Sequence, residues 1–311
     1  MPAPWVESLL SASLRLKRGE RVLIMHDAPL LQAGEALAAG ALEMGAVHVQ
    51  RVLLPEPGRG LAVVPTALTE AAGRADLLLS LRSQLDLSGE DPHIRAAMSA
   101  FLQGGRGRWG SLAQVDQEVL EEALSGDPGA VAREAERLAA RVRRHSAVRI
   151  TSDTGTDLSL SYAGRPVHVE TGVIDRPGTI GNLPGGEVFV APLEQSAEGR
   201  LVVDLCLGDL LLDQPVCLTF QRGRVVAVEG GQAAQRLRQR LGRDDWAWTI
   251  GEFGLGANPH IRRRGRVALD EKALGTAHIA LGANRSFGGV NPAETHYDCV
   301  LAEPRIEFPG A

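Results

Sequence analysis

Two hydrophobic rhythms divide this chain, and the change from one to the other is its strongest constraint on folding. In the first, apolar runs alternate with amphipathic helical stretches. A helix is expected at residues 4–16, then a buried strand at 21–25 (RVLIM), an Ala-rich helix at 30–44 ended by Gly45, and a strand at 46–54. The alternation continues with a helix near 67–72, a strand at 76–81, a helix near 92–102 and a short strand near 108–110. Strand, helix, strand in this order requires a parallel sheet covered by its crossover helices. Residues 130–144, AVAREAERLAARVRR, then form a helix with Ala and Leu at helical spacing, acids early and arginines late, as the helix dipole favours.

Beyond Val148 the rhythm becomes one of short strands punctuated by Gly, Asp and Pro, at 148–151, 158–162, 188–190, 201–207, 216–221 and 224–228. One helix at 232–241 interrupts them, and the last strands fall at 277–281 and 297–302. The expected fold is an α/β N-terminal domain with a parallel sheet, residues 1–146, followed by a mostly antiparallel β-rich (α+β) domain, residues 147–311.

Composition narrows the function classes. The chain has 311 residues, 44% of them hydrophobic and 23% charged, as an ordinary soluble globular protein has. A net charge of −5 supplies no positive field for nucleic acid or anionic membrane, so neither partner is expected. Three cysteines without a C-x-x-C spacing argue against a disulfide framework and a thiolate zinc site, which fits a reducing cytoplasm. The N-terminus lacks the pattern of a signal peptide, and no run of about 18 apolar residues occurs.

Several short motifs carry no chemistry. The turn after the first strand, MHDAPLLQAG, lacks the G-x-G-x-x-G of dinucleotide binding, and His26 and Asp27 within it read as structural turn residues. GGRGRWG at 104–110 lacks the G-K-[ST] ending of a phosphate loop. Asp153-Thr154-Gly155 matches the aspartic protease signature, but no second copy exists and ITSDTGTDLSLS alternates like a hairpin with a Gly turn.

A denser signal lies in the second half, in four Gly- and Pro-rich segments. NLPGGEVFVAP carries Glu187 at the mouth of an apolar strand. IGEFGLGANP carries Glu252, expected just after a strand at 246–250. LDEKALGTAHIALG carries Asp270, Glu271 and His278, and ETHYDCV carries His296 and Asp298. Alternate strand side chains share a face, so His296 and Asp298 project together while Tyr297 and Cys299 point away. Two imidazoles and at least three carboxylates form a mixed N/O set suited to zinc, cobalt or manganese in a two-metal hydrolytic site.

At these segments the sequence resembles the metallo-aminopeptidases of the aminopeptidase T and aminopeptidase S type, most strongly over residues 181–304, where GEVF, IGE, DEK, HIALG and H-x-D follow in family order. The resemblance implies an N-terminal α/β domain, a β-rich metal-binding domain, a homodimer, and removal of N-terminal residues from peptide substrates. It places a divalent metal pair on Glu187, Glu252, His278, His296 and Asp298, with Glu271 a looser match. Bound metals would activate a bridging water, and Glu252 or Glu271 would act as general base. The characterised peptidases carry a catalytic tyrosine seven residues after the first ligand histidine. This chain has Arg285 there, either an oxyanion stabiliser in the tyrosine's place or a solvated loop residue.

The same superfamily resembles, in outline, iron-dependent ring-opening dioxygenases acting on dihydroxypyridine. Those use two histidines and one aspartate, with a histidine where this chain has Glu252. Glu252 together with Glu187 therefore favours the hydrolytic branch at this level. A third reading is a catalytically inactive metal or peptide binder that kept the cage and lost the tyrosine.

Overall fold

A computed structural model describes residues 2–55, 64–84 and 91–309. The chain divides into two compact units, one comprising 1–132 with 170–185, the other 133–169 with 186–311.

The first unit is built on a five-stranded parallel sheet in the order His48–Leu53, Arg21–His26, Leu77–Leu81, Arg108–Leu112, Thr179–Asn182. Its central strands are buried almost throughout, which is why they read as continuous apolar runs. The helices Leu31–Glu43, Thr66–Arg74 and Pro92–Gly104 supply the crossovers. One core cluster joins Leu23, Met25, Leu78 and Trp109 of the sheet to Leu68, Ala97 and Phe101 of the helices. The fifth strand comes from far along the chain, since Thr179–Asn182 pairs in parallel with Arg108–Leu112.

The first helix departs from the expected single α-helix. Residues Pro4–Glu7 are α-helical, but Ser8–Ser13 widen into a π-helix, with Leu14 N–H donating to the Leu9 carbonyl. Leu9, Leu10 and Leu14 are all fully buried, and the wider turn accommodates adjacent leucines that one α-helical stripe would not bury equally. His26 ends the first strand instead of opening the turn, buried against the Gly34 backbone and bonded through Nδ1 to the Asp27 carbonyl.

The second unit holds two six-stranded sheets. One runs Arg224–Glu229, Val216–Gln221, Glu198–Val203, Asp157–Ser161, Ala147–Thr151, Arg305–Glu307, and is antiparallel throughout. The hairpin Ala147–Thr151 to Asp157–Ser161 turns at Gly155 (φ +106°), and its Asp153 is an exposed partner of Arg305. The protease signature is thus a hairpin turn.

The other sheet runs Cys206–Leu207, His296–Leu301, Ala277–Gly282, Ile250–Gly256, Glu187–Val190, Val167–Glu170. Here one sequence expectation is corrected: the strand starts at Ile250 rather than ending there, so Glu252 stands on it, not after it. Its glycines lower strand propensity and disguise it as a loop, yet they are required by close approach. A Cβ on Gly256 would lie 2.0 Å from the Ala273 carbonyl oxygen. No helix among the described residues is long and apolar enough to cross a membrane.

Candidate metal centre

The strand register of this last sheet gathers the carboxylates and imidazoles. Gly256 faces Glu187, Gly254 faces both Phe189 and His278, Glu252 faces Ala280, Ala280 faces Asp298, and Gly282 faces His296. Directly opposed residues of a sheet share a face, so Glu187, Glu252, His278, His296 and Asp298 all project from one side of it. Between them stand Gly254, Gly256, Ala280 and Gly282, whose small size leaves room in the middle of the cluster. A Cβ on Gly254 would come 2.1 Å from His278 Nε2, so this glycine is what lets the imidazole lie where it does.

The ligand atoms form two groups whose members lie within 4.8 Å of one another: Glu187, Glu252 and His278, all buried, and Glu252, His296 and Asp298, the last two half-buried. Glu252 belongs to both. Its Oε1 is 2.9 Å from His278 Nε2, and its Oε2 is 3.6 Å from His296 Nε2. His296 Nε2 also lies 3.4 Å from Asp298 Oδ1, and His296 Nδ1 donates to the Ala283 carbonyl at 2.8 Å, which turns Nε2 toward the carboxylates.

Electrostatics shows how strongly this cluster calls for positive charge. Desolvation pulls His278 down, but its hydrogen bond to Glu252 and the charges of Glu252, Glu187 and Glu271 outweigh it and hold the imidazole up at about 9. Desolvation likewise opposes protonation of His296, and Asp298, Glu252 and the Ala283 carbonyl overcome it, raising it to about 10. Burial acts to raise Asp298, yet His296, His278 and Lys272 bring it below the usual carboxylate range. Burial lifts Glu271 to about 7 against the opposing pull of Lys272. A mixed imidazole and carboxylate set with this surplus of negative charge, spaced around small residues, fits a divalent cation.

The remaining expected residues fall in three places. Glu271 borders the cluster through Lys272, whose Nζ lies 2.7 Å from Glu271 Oε1 and 2.6 Å from Glu187 Oε1. Asp270 is an organiser of its loop: its carboxylate accepts from the backbone N–H groups of Arg264, Gly265 and Arg266. Arg285 is an exposed residue of a short 3-10 turn, and its Nε donates to the Val290 carbonyl. Tyr297 points away as expected, its hydroxyl 2.8 Å from Asp209 Oδ1.

Sequence reasoning missed two features. Lys272 is 1% exposed, although a signal for it existed, because the chain has only two lysines, Lys17 and Lys272, among its basic residues. The second is an aromatic wall beside the centre. His168 stacks on Phe189 (centroids 5.1 Å apart), and Phe287 meets Phe189 edge-on at 5.5 Å and His296 edge-on at 6.0 Å. In a chain with six phenylalanines, two of them stand here.

Known proteins resemble this chain on both sides of the superfamily. A 2,5-dihydroxypyridine 5,6-dioxygenase of Pseudomonas putida is 28% identical over 177 residues, which is 51% of this chain and 50% of that one. Aminopeptidase T of Thermus thermophilus is 31% identical over 150 residues, 42% of this chain and 36% of that one. The matched stretches thus span half or less of these relatives. Among solved structures, the Pseudomonas putida dihydroxypyridine dioxygenase superposes with a TM-score of 0.72 at 22% identity, covering 98% of this chain and 93% of that one. Wild-type AmpT from Thermus thermophilus does so with a TM-score of 0.72 at 21% identity, covering 98% and 94%. These two likenesses establish the fold: a parallel-sheet α/β unit together with antiparallel β-rich sheets. The family model described as NicX, 2,5-dihydroxypyridine 5,6-dioxygenase, matches residues 10–311, and the chain belongs to that family.

Proposed function

We propose that this protein is a metal-dependent dioxygenase that opens a hydroxylated aromatic ring of the dihydroxypyridine kind. The family match over residues 10–311 supports the reaction class. The observation that carries the substrate class is the wall of Phe189, Phe287 and His168 abutting His296, which offers a flat ring an apolar surface beside the candidate ligands. The residues that would hold the ion are Glu252 with His296 and Asp298 on one side, and with His278 and Glu187 on the other. When bound, a divalent iron supplies the one-electron chemistry that closed-shell side chains lack, allowing dioxygen and an electron-rich ring to react.

The chain's own groups do the rest. His296 is held by the Ala283 carbonyl, so its Nε2 keeps one direction during turnover. Glu271, lifted to about 7 by burial, has the affinity needed to take a proton from a ring hydroxyl near neutral pH and to return it. Phe189 and Phe287 keep water from one side of the ring.

A second reading, a two-metal aminopeptidase, is favoured by one observation: Glu252 belongs to both ligand groups, as a carboxylate bridging two ions would. The two are separated by loading metal-free protein with ferrous iron under nitrogen and admitting oxygen with 2,5-dihydroxypyridine and its isomers. Oxygen uptake equal to ring loss, with both atoms of labelled dioxygen in the product, is expected. Hydrolysis of aminoacyl amides with zinc, cobalt or manganese, and no oxygen uptake, would replace this reading with the second. Metal binding with neither activity would leave an inactive binder.

A further inference from the structure

We propose that Glu194 is a positioning residue of the ring site: its carboxylate holds the loop 284–291 where Phe287 meets Phe189 and His296, and thereby sets the affinity of the centre for a flat ring.

The loop joins the Ala277–Gly282 strand to the His296–Leu301 strand, and apolar burial does little to place it. Arg285, Ser286, Gly288 and Val290 are exposed and Phe287 is half-buried, so the position of the loop depends on polar contacts. Some of these only fold it on itself. The Asn284 carbonyl accepts from the N–H groups of Phe287 (3.3 Å) and Gly289 (2.9 Å), and Asn284 Oδ1 accepts from the Asn291 N–H at 2.8 Å. Neutral bonds tie its two ends, from Asn284 Nδ2 to the Gly251 carbonyl and from Asn291 Nδ2 to the Trp246 carbonyl, and His168 Nε2 donates to the Phe287 carbonyl at 3.0 Å.

The charged attachments all pass through Glu194. Its Oε1 accepts from Asn284 Nδ2 at 3.1 Å and from the Val290 N–H at 2.7 Å, gripping both arms of the loop. Its Oε2 takes Arg165 at 2.6 Å, the two side chains being 10% and 12% exposed, and the other terminal nitrogen of that guanidinium donates to the Gly288 carbonyl. Hydrogen bonds to ionised groups are roughly twice as strong as neutral ones, and here they fall on the residues beside Phe287. Phe287 in turn lies 5.5 Å from the Phe189 ring and 6.0 Å from the His296 ring, so any displacement of the loop changes the slot next to a candidate ligand. Misplacement by about 1 Å at such a site can cost about 100-fold. Glu194 stands in neither ligand group, which separates its effect from metal binding. The inference rests on the ring-binding reading above, through the Phe189 and Phe287 wall, but not on turnover.

The test compares wild type, Glu194→Ala and Glu194→Gln, each loaded with manganese under nitrogen and titrated calorimetrically with 2,5-dihydroxypyridine. Hydrogen exchange over residues 284–291 is followed by mass spectrometry without the ring. Glu194→Ala is expected to bind the ring about tenfold more weakly and to exchange faster in the loop, with manganese affinity within twofold of wild type. Glu194→Gln should recover most of the ring affinity, because its amide oxygen still accepts from Asn284 and Val290. Gly289→Ala is the second variant: its Cβ would lie 2.0 Å from Asn284 Cγ and Oδ1, so it displaces the Asn284 amide from Glu194 without leaving a charge unpaired, and it should weaken ring binding in the same way. Should Glu194→Ala fail to fold, Gly289→Ala decides alone. Ring affinity within twofold of wild type in a variant whose loop exchanges faster, or loop exchange unchanged in Glu194→Ala, would overturn the proposal and leave the ring-binding reading standing. Wild type that binds no ring would overturn that reading and the proposal with it.

Discussion

Replacing Gly254 by alanine should weaken metal binding about 10–100-fold while leaving the fold in place. The new Cβ would sit 2.1 Å from His278 Nε2 and 2.2 Å from its Cε1, so the ring must retreat by about 1.3 Å to reach an ordinary 3.4 Å contact. Metal ligands tolerate errors of only about 0.2 Å in distance, so a shift of this size takes His278 out of any shared coordination sphere. It also breaks the 2.9 Å contact between His278 and Glu252, the carboxylate common to both ligand groups. The overpacking itself should cost about 1–3 kcal/mol, because the backbone of this strand is pinned by neighbours on both edges. Loss of orientation at a ligand weakens affinity by about 10–100-fold, or about 1.4–2.8 kcal/mol. Calorimetric titration of the metal-free variant with manganese reads the affinity, and thermal melts in chelator read the fold. Gly73→Ala is the control: the nearest atom to its Cβ is the Ala100 carbonyl oxygen at 3.4 Å, and within a helix it should be neutral or stabilising by up to about 1 kcal/mol. An affinity within twofold of wild type in Gly254→Ala would refute the placement of His278 in the centre.

Three further outcomes follow from the same geometry. His296→Ala removes the half-exposed imidazole whose Nε2 faces both Glu252 and Asp298, and should reduce manganese binding by at least about 100-fold; retained stoichiometric metal would defeat its assignment as a ligand. The metal-free protein should lose thermal stability as pH rises from about 6.5 to about 10, since His278 and His296 bind their protons more tightly folded than unfolded. Their contribution is complete below the unfolded value and disappears through about 9 and about 10; manganese affinity should tighten over the same window, because the ion displaces those protons, and a flat profile in both measurements would contradict this. Arg285→Ala should leave metal affinity and turnover within twofold of wild type, because the side chain is exposed and bonds its own loop; a large fall in kcat alone would return it to the reaction.

The sequence by itself determined the two rhythms and the ligand types. Buried parallel strands must be apolar throughout, so RVLIM and LLLSL declare themselves, and H-x-D on a strand puts two ligands on one face by the period of two alone. Tertiary structure decided what depends on residues distant in the chain. The Ile250–Gly256 strand is hidden by its glycines, and their reason is visible only once His278 and the Ala273 carbonyl press against them. The return of Thr179–Asn182 to the parallel sheet leaves no periodic trace, because four residues are too few to carry one. The partners of Lys272 are not legible in the sequence, because the loop fixed by Asp270 carries it between Glu187 and Glu271, 85 residues away and one residue away along the chain. Charge type is local and legible, whereas the partner that balances a buried charge is set by packing, and packing is a property of the whole fold.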